Sequence, residues 1–394
     1  MQEIHGTVMH YPWGTADAIP ALLGVPGDGR PFAEYWLGAH VVAPSRLDGV
    51  RLDELIEADP GILGPVAAQH FGGRLPFMMK ILSARHALSL QAHPSRDRAV
   101  EGFVREESLG LALDDPKRCY KDDCAKPETL IALTEFRLLL GFRPPVQTFE
   151  LFEQLGVAHV LDTVIAPLML RRGPAATEEV FLEVLTLEGD RIELVNQVLV
   201  AAVAHAADEG PVGETARLII ELDEFFPGNP GIIAACLMNL VTLRPGQAVF
   251  VPAGQMHAHL SGTGIELQAN SDNVLRGGLT AKHIAVEELV SVVDFGESTP
   301  RIMQGTEQGP GVWRYPSECP EFDVWRIEGR PEPTLLPGHG AVRIALVTAG
   351  NVTLEDDRTR LDLEHGQAVL LPADNPPVRV WGDGQVFLGA PGIR

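Results

Sequence analysis

Arg244-Pro-Gly-Gln-Ala-Val-Phe-Val-Pro-Ala-Gly-Gln-Met-His-Ala-His259 is the stretch whose reading decides the fold. Within it Gly246, Pro252, Gly254 and His257 stand with five, one and two residues between them. Gly246 marks a turn, residues 248–251 are a run of apolar β-formers, and Pro252 with Gly254 makes a corner. A second strand follows and carries His257. That strand continues through Ile265-Glu266-Leu267-Gln268, where Glu266 alternates with two apolar neighbours. Successive side chains on a strand point to opposite faces, so Glu266 turns from the apolar side towards the side expected for His257.

The same stretch has a copy. Gly366-Gln-Ala-Val-Leu-Leu-Pro-Ala373 repeats Gly246 to Ala253 at a distance of 120 residues, with six of eight positions identical. The position equivalent to His257 is Pro377, so the copy keeps the strand and the corner without the histidine. Two related β units are expected, one carrying a site and one structural. The Gly/Pro/Gly/His pattern resembles the second motif of the cupin small β-barrels. That resemblance implies two jelly-roll barrels, with the histidine aimed into the first.

Outward from this stretch the pattern changes period. Leu151/Leu155, Val180/Val184/Leu187, Ile192/Val195/Leu199/Val203 and Leu218/Leu222/Phe225 recur at helical spacing. The fold class read from this is mainly β with an inserted α-helical domain and two cupin-type β-barrels. The divisions fall at 1–148 and 241–300 for the first β domain, 149–240 for the helices, and 301–394 for the degenerate copy. Strands are expected at 77–83, 87–93 and 129–133. Ser95 caps a helix to about 107, Thr280 caps another to about 293, and 300–316 reads as a linker.

The 394 residues carry a net charge of -22, with 31 prolines and 40 glycines in keeping with many turns. Such a surface repels nucleic acid and anionic membrane, and an anionic ligand would need a local basic pocket. The N-terminus lacks the basic-then-apolar order of a signal peptide, and no apolar run is long enough to span a bilayer. The four cysteines show no paired spacing, so reduced thiols and a cytoplasmic location are the expectation. A monomer is also expected, though no sequence feature fixes it.

Gln91 and His93 stand two apart on one expected strand, Glu128 follows Lys126-Pro127 at the start of another, and His257 lies on a third. Two imidazoles, a carboxylate and an amide oxygen suit a divalent metal, zinc foremost. Residue type alone leaves His259, His86 and His40 open as further candidates. Ser89 shares the face of Gln91 and His93, and Lys80 stands among Met78, Met79, Ile81 and Leu82. A lysine in that setting either reaches an edge or points into a polar pocket.

The set Gln91-Ala-His93-Pro94, Lys126-Pro127-Glu128, His257 with Ser261-Gly262, and Ser271-Asp272-Asn273-Val274-Leu275-Arg276 resembles type I mannose-6-phosphate isomerases. So do Glu34-Tyr-Trp-Leu-Gly-Ala-His40, Leu75-Pro76-Phe77 through Lys80, Gly141-Phe142-Arg143-Pro144, and Gly277-Gly278-Leu279-Thr280 before Lys282. These motifs cover about residues 11–295 in order, whereas the last hundred residues match in architecture only. The resemblance implies one zinc held by Gln91, His93, Glu128 and His257. It places the active-site arginine at Arg276 and lines the pocket with Glu34, Lys80, Ser89, Lys126, Glu266, Asp272 and Lys282. The chain departs from the family pattern at Met256 and His259, at Cys124-Ala125, and at Pro12 before Trp13-Gly14.

The implied reaction interconverts mannose 6-phosphate and fructose 6-phosphate. It moves a proton between C2 and C1 through an enediolate, which needs a base, an acid and a cation beside the oxygens. Glu266 is the leading base, with Glu34, Asp272 and a metal-bound water as competitors. Lys80, Lys126, Lys282 and Arg276 supply the basic pocket. Two other readings are a metal-dependent oxidoreductase using iron and oxygen, and a non-catalytic sugar-phosphate binder. Gln91 and the lysines count against the first, and intact Arg276 and Glu266 against the second.

Overall fold

One strand, His257–Ala269, runs through the middle of the larger sheet and explains most of its layout. The computed structural model describes residues 1–393. The second half of the strand pairs antiparallel with Phe77–Ala84 on one side and Glu128–Ala132 on the other. Its first half pairs instead with Phe136–Phe142 and, at His257, with Gln91. The change of partners falls at a register shift between His259 and Ser261, just before Gly262. Gly262 has φ +121°, and a Cβ there would meet the Glu135 carbonyl oxygen at 2.5 Å, so only glycine lets the strand cross at this point.

The remaining strands build outward. Gln247–Val251 pairs with Glu128–Ala132, and Glu34–Gly38 pairs with Phe77–Ala84, inside a sheet of 11 strands. A second sheet of seven strands runs Gln2–Ile4, Ala368–Leu371, Arg343–Ala349, Gln385–Ala390, Asp323–Glu328, Val312–Tyr315, Thr306–Gly309. A smaller sheet of four strands backs it. Alternation sorts the side chains of the two large sheets. Phe77, Met79, Ile81, Ile265 and Leu267 share one core with Ile344, Leu346, Leu370 and Phe387. Burial of side chains of this size contributes about 1.5–3 kcal/mol each. Lys80 and Glu266, one residue out of step, therefore point to the other side.

Helices fill the chain from Pro145–Gln154 to Gly231–Cys236. The period of the sequence is largely the period of burial, but Ile192, Val203 and Phe225 of the expected stripes are exposed, and Glu193–His205 buries Val195, Val198 and Ala202. Val180, Phe181 and Val184 of Pro174–Leu185, Val195 and Val198 of Glu193–His205, and Leu218 and Leu222 of Gly210–Phe225 lie in one cluster with Phe142, Leu275 and Leu279 of the β part. The helices thus pack directly against the segment that carries Arg276.

The internal repeat is real in three dimensions. Gly246 and Gly366 take φ +83° and +87°, which favours glycine. Gln247 Oε1 accepts the Arg244 N–H at 2.8 Å, and Gln367 Oε1 accepts the Glu364 N–H at 2.7 Å, so the same turn is built twice.

Three local expectations are corrected. Residues 87–93 form a strand only at Gln91–Ala92, because the Leu88 and Leu90 N–H groups go to the carbonyls of His259 and Gly278, on different segments. Thr280 does not cap a helix; its hydroxyl accepts the Lys282 N–H at 3.0 Å, and the helix is Val286–Val292. Residues 300–316 are no linker: Val312–Tyr315 pairs with Asp323–Glu328, and the Tyr315 hydroxyl donates to the Gly246 carbonyl at 2.8 Å. Ser95 caps Arg96–Ser108 as expected. All four cysteines are free, and among the described residues no helix is long and apolar enough to cross a membrane.

Candidate functional site

Register brings the candidate ligands together before any side chain is considered. His257 is the cross-strand neighbour of Gln91, and Gln91 in turn of Arg276. Glu128 stands opposite Gln268 on the same long strand. Glu128 lies 3.3 Å from His93 Nε2 through one oxygen and 3.3 Å from His257 Nε2 through the other. The Gln91 side-chain amide is 3.3 Å from His257 Nε2, and half a turn of that amide presents its oxygen instead. His93, Glu128 and His257 each offer one atom to a common point, and all three are buried.

The surroundings of these donors fit a cation. His93 Nδ1 meets the Asn273 carbonyl at 2.7 Å and His257 Nδ1 the Gln255 carbonyl at 3.0 Å. Each contact puts the ring proton on Nδ1 and leaves Nε2 as the free donor, the arrangement of a metal-binding imidazole. His93 Nε2 and one Glu128 oxygen are buried without hydrogen-bond geometry to any partner. Leaving such groups unmet costs about 1–3 kcal/mol each, a cost that an ion between them removes. Burial, then the charge of Lys126, holds the His93 imidazole down to about 4, so it is neutral. Burial alone would raise the Glu128 carboxyl; Lys126 and His93 outweigh it and keep the group well below the usual carboxylate range.

Beside the donors lies a second polar layer. Lys80 Nζ sits 3.2 Å from Glu34 and 3.4 Å from Glu266, and Lys126 Nζ 3.1 Å from Glu128. The Trp36 indole N–H donates to Glu34 at 2.9 Å and fixes that carboxylate. Glu266 is 2% exposed; burial, then the nearby Glu128 charge, pushes its carboxyl up to about 7. Lys80 is held above the usual range because Glu34 and Glu266 overcome its burial. Asp272 is held down by His40, at 3.2 Å, against the effect of burial. Ser89 is half-buried two residues before Gln91.

Arg276 is half-buried on the strand next to Gln91, and burial lowers its pKa. Lys282 is exposed; partial burial and the Arg276 charge lower its pKa, which places the two cations near one another. Gln91, His93, Glu128, His257, Lys80, Lys126, Glu34 and Glu266 thus converge. Arg276 borders this cluster, and Lys282 stands outside the buried part.

Sequence reasoning passed over the groups that hold the site in shape. Asn273 is fully buried: its side-chain oxygen accepts the Lys121 N–H at 2.7 Å, and its nitrogen donates to the Asp122 and Cys124 carbonyls, both at 2.9 Å. Those bonds fasten the loop that delivers Lys126 and Glu128. His40, left unassigned by residue type, holds Asp272. The signal for both was their place inside motifs already quoted, with no spacing rule to mark their role.

A family model described as phosphomannose isomerase type I, catalytic domain, matches residues 1–145. The mannose-6-phosphate isomerase of Escherichia coli K12 is 33% identical over 98% of this chain and 98% of its own. Mannose-6-phosphate isomerase 2 of Arabidopsis thaliana is 29% identical over 98% of this chain and 92% of its own. Among solved structures, a mannose 6-phosphate isomerase bound with zinc and yttrium aligns with a TM-score of 0.89 at 31% identity, over 99% of both chains. A zinc-bound holo form of mannose 6-phosphate isomerase gives a TM-score of 0.90 over the same share of both chains. End-to-end similarity at these levels settles kinship: the chain belongs to the type I phosphomannose isomerase family.

Proposed function

We propose that this chain is a zinc-dependent isomerase of mannose 6-phosphate and fructose 6-phosphate. The observation that carries the reading is a buried carboxylate between two imidazole Nε2 atoms, both at 3.3 Å, with donor atoms left unmet. Gln91, His93, Glu128 and His257 would hold the zinc, and the donor set of nitrogen and oxygen atoms suits that ion. When bound, the ion supplies Lewis acidity that orients and polarises the C1 and C2 oxygens.

The chain's own residues do the rest. A proton must leave C2 and arrive at C1, so one group serves first as base and then as acid. Glu266 suits that task, because its buried carboxyl stands beside the donor cluster and burial favours its protonated form. Lys80, at 3.4 Å, positions one of its oxygens. Arg276, charged at every working pH, faces the oxygen on which negative charge develops. Glu34, Ser89 and Asp272 line the pocket as partners for sugar hydroxyls. Lys80 and Lys126 are paired with buried carboxylates. With Arg276 committed to the developing oxyanion, the cation left to receive the phosphate is therefore Lys282, a local exception on a chain of net charge -22.

We infer further that the two large β units are cupin-type jelly rolls, divided at 1–148 with 241–300, 149–240 and 301–394, with Gln2–Ile4 crossing to pair in the second unit's sheet and Met303–Gln304 in the first's. The twice-built Gly246 and Gly366 turn supports this. Four free cysteines support a cytoplasmic location, and light scattering tests the inferred monomer. The functional test is a coupled assay for fructose 6-phosphate formed from mannose 6-phosphate. Chelation is expected to abolish turnover and zinc to restore it; undiminished turnover after complete removal of metal overturns the reading.

A further inference from the structure

His259 is a buried group to which the proposed reaction gives no task. It lies two residues beyond His257, 2% exposed, edge-on to Phe136 with ring centroids 5.3 Å apart. Among the described residues neither ring nitrogen has a hydrogen-bond partner. Nε2 is 3.8 Å from a Glu266 oxygen, beyond hydrogen-bond reach. Yet Glu128, His259 and Glu266 each offer a ligand atom, all within 4.8 Å of one another and all buried. Nitrogen and oxygen ligands bind zinc at about 2.0–2.2 Å, so two ligands of one ion stand roughly 3–4 Å apart. Small side-chain shifts bring the three atoms to that spacing.

We propose that Glu128, His259 and Glu266 hold a second divalent cation next to the first, with the Glu128 carboxylate shared between them. The inference rests on the assignment of Glu128 and His257 to the first ion. One imidazole and two carboxylates suit zinc, cobalt or manganese. Charge sets the order of loading. With all three carboxyls ionised, Glu34, Glu128 and Glu266 oppose Lys80 and Lys126 and leave the cluster one negative charge in excess. The first ion reverses that sign, so the second enters against net positive charge and binds more weakly. His259 Nδ1 also lacks the carbonyl that holds Nδ1 of His93 and of His257, which lowers affinity again.

The test is equilibrium dialysis of the whole chain against graded zinc or cobalt, with bound metal counted at each step. One equivalent is expected to stay at low free metal and a second to load as the concentration rises. His259→Phe and Glu266→Gln are each expected to stop at one; if either fails to fold, the other carries the comparison. Two cobalt ions joined through Glu128 couple magnetically, so the paramagnetic resonance signal per cobalt falls as the second equivalent loads. Wild-type protein that saturates at one equivalent overturns the proposal. So does a second equivalent that survives both substitutions, which marks an adventitious surface ion only. Isomerase activity and the first equivalent report separately on the proposed function, so their loss and the absence of a second ion are distinguishable failures.

Discussion

Asn273→Ala is the sharpest probe of how the site is held, because Asn273 touches neither substrate nor metal in this account. Its side chain makes three short bonds to the loop before Glu128, to Lys121 N–H at 2.7 Å and to the Asp122 and Cys124 carbonyls at 2.9 Å. Alanine removes all three, together with a longer bond from the Asp122 N–H at 3.2 Å, and leaves two N–H groups and the Asp122 carbonyl of a half-buried loop unmet, while the Cys124 carbonyl keeps the Ser271 hydroxyl at 3.4 Å. Each such group costs about 1–3 kcal/mol when buried, and water entering the loop recovers part of that. The expected loss of stability is about 3–5 kcal/mol, read by urea unfolding of metal-free protein. The Asn273 carbonyl, which orients His93, survives the substitution but moves with the loop. Zinc affinity is therefore expected to fall about 10- to 100-fold, the usual effect of losing support around metal ligands, read by chelator competition. A loss below about 1 kcal/mol together with unchanged zinc affinity would refute the reasoning, because the loop would then be holding itself.

Other substitutions divide the site by role. His257→Ala is expected to lose metal and activity together; full zinc stoichiometry with normal turnover removes it from the ligand set. Arg276→Ala is expected to keep zinc and lower kcat at least about a hundredfold, as losing one oxyanion donor does, whereas a change in KM alone would contradict its placement. In metal-free protein, Glu266 holds its proton to about pH 7 against a usual carboxyl value of 4.5. The unfolded chain releases that proton first as pH rises. The corresponding stability is thus complete below about 4.5 and lost as pH climbs through about 7. Glu266→Gln is expected to flatten that part of the stability profile, and an unchanged slope would show that another group titrates there.

The parts of the structure legible in the sequence were those set by short-range rules. Gly246 and Gly366 announce their turns because the backbone needs a left-handed residue there. The face of Glu266 follows from strand alternation once Ile265 and Leu267 are known to be buried. The helices declare themselves by period because each presents one stripe to a shared core. Other features were settled at long range. Alternation of burial survives only over residues 89–92, where Leu90 and Ala92 are buried and Ser89 and Gln91 half-exposed, whereas Ala87 and His93 are buried and Leu88 half-buried. The hydrogen bonds of this segment nevertheless go to separate partners, which no local pattern encodes. Tyr315 falls within the expected linker 300–316, yet its hydroxyl ties the seven-stranded sheet to the Gly246 turn, 69 positions away. The ligand set became specific through the family resemblance, because an isolated glutamine or histidine carries no metal signal of its own. Asn273 acts through other residues, so residue chemistry gave no reason to select it, and His40, open as a metal candidate by residue type, instead holds Asp272.

Gln91, His93, Glu128 and His257 are proposed to grip one ion on which turnover depends. The most direct test is titration of metal-stripped protein with zinc while mannose 6-phosphate turnover is followed in the same samples. Activity is predicted to rise in proportion to zinc and to level off at the first tightly held equivalent, and Glu128→Gln to bind zinc weakly and stay inactive. Full turnover before any zinc is added, or undiminished tight binding by Glu128→Gln, would contradict the account.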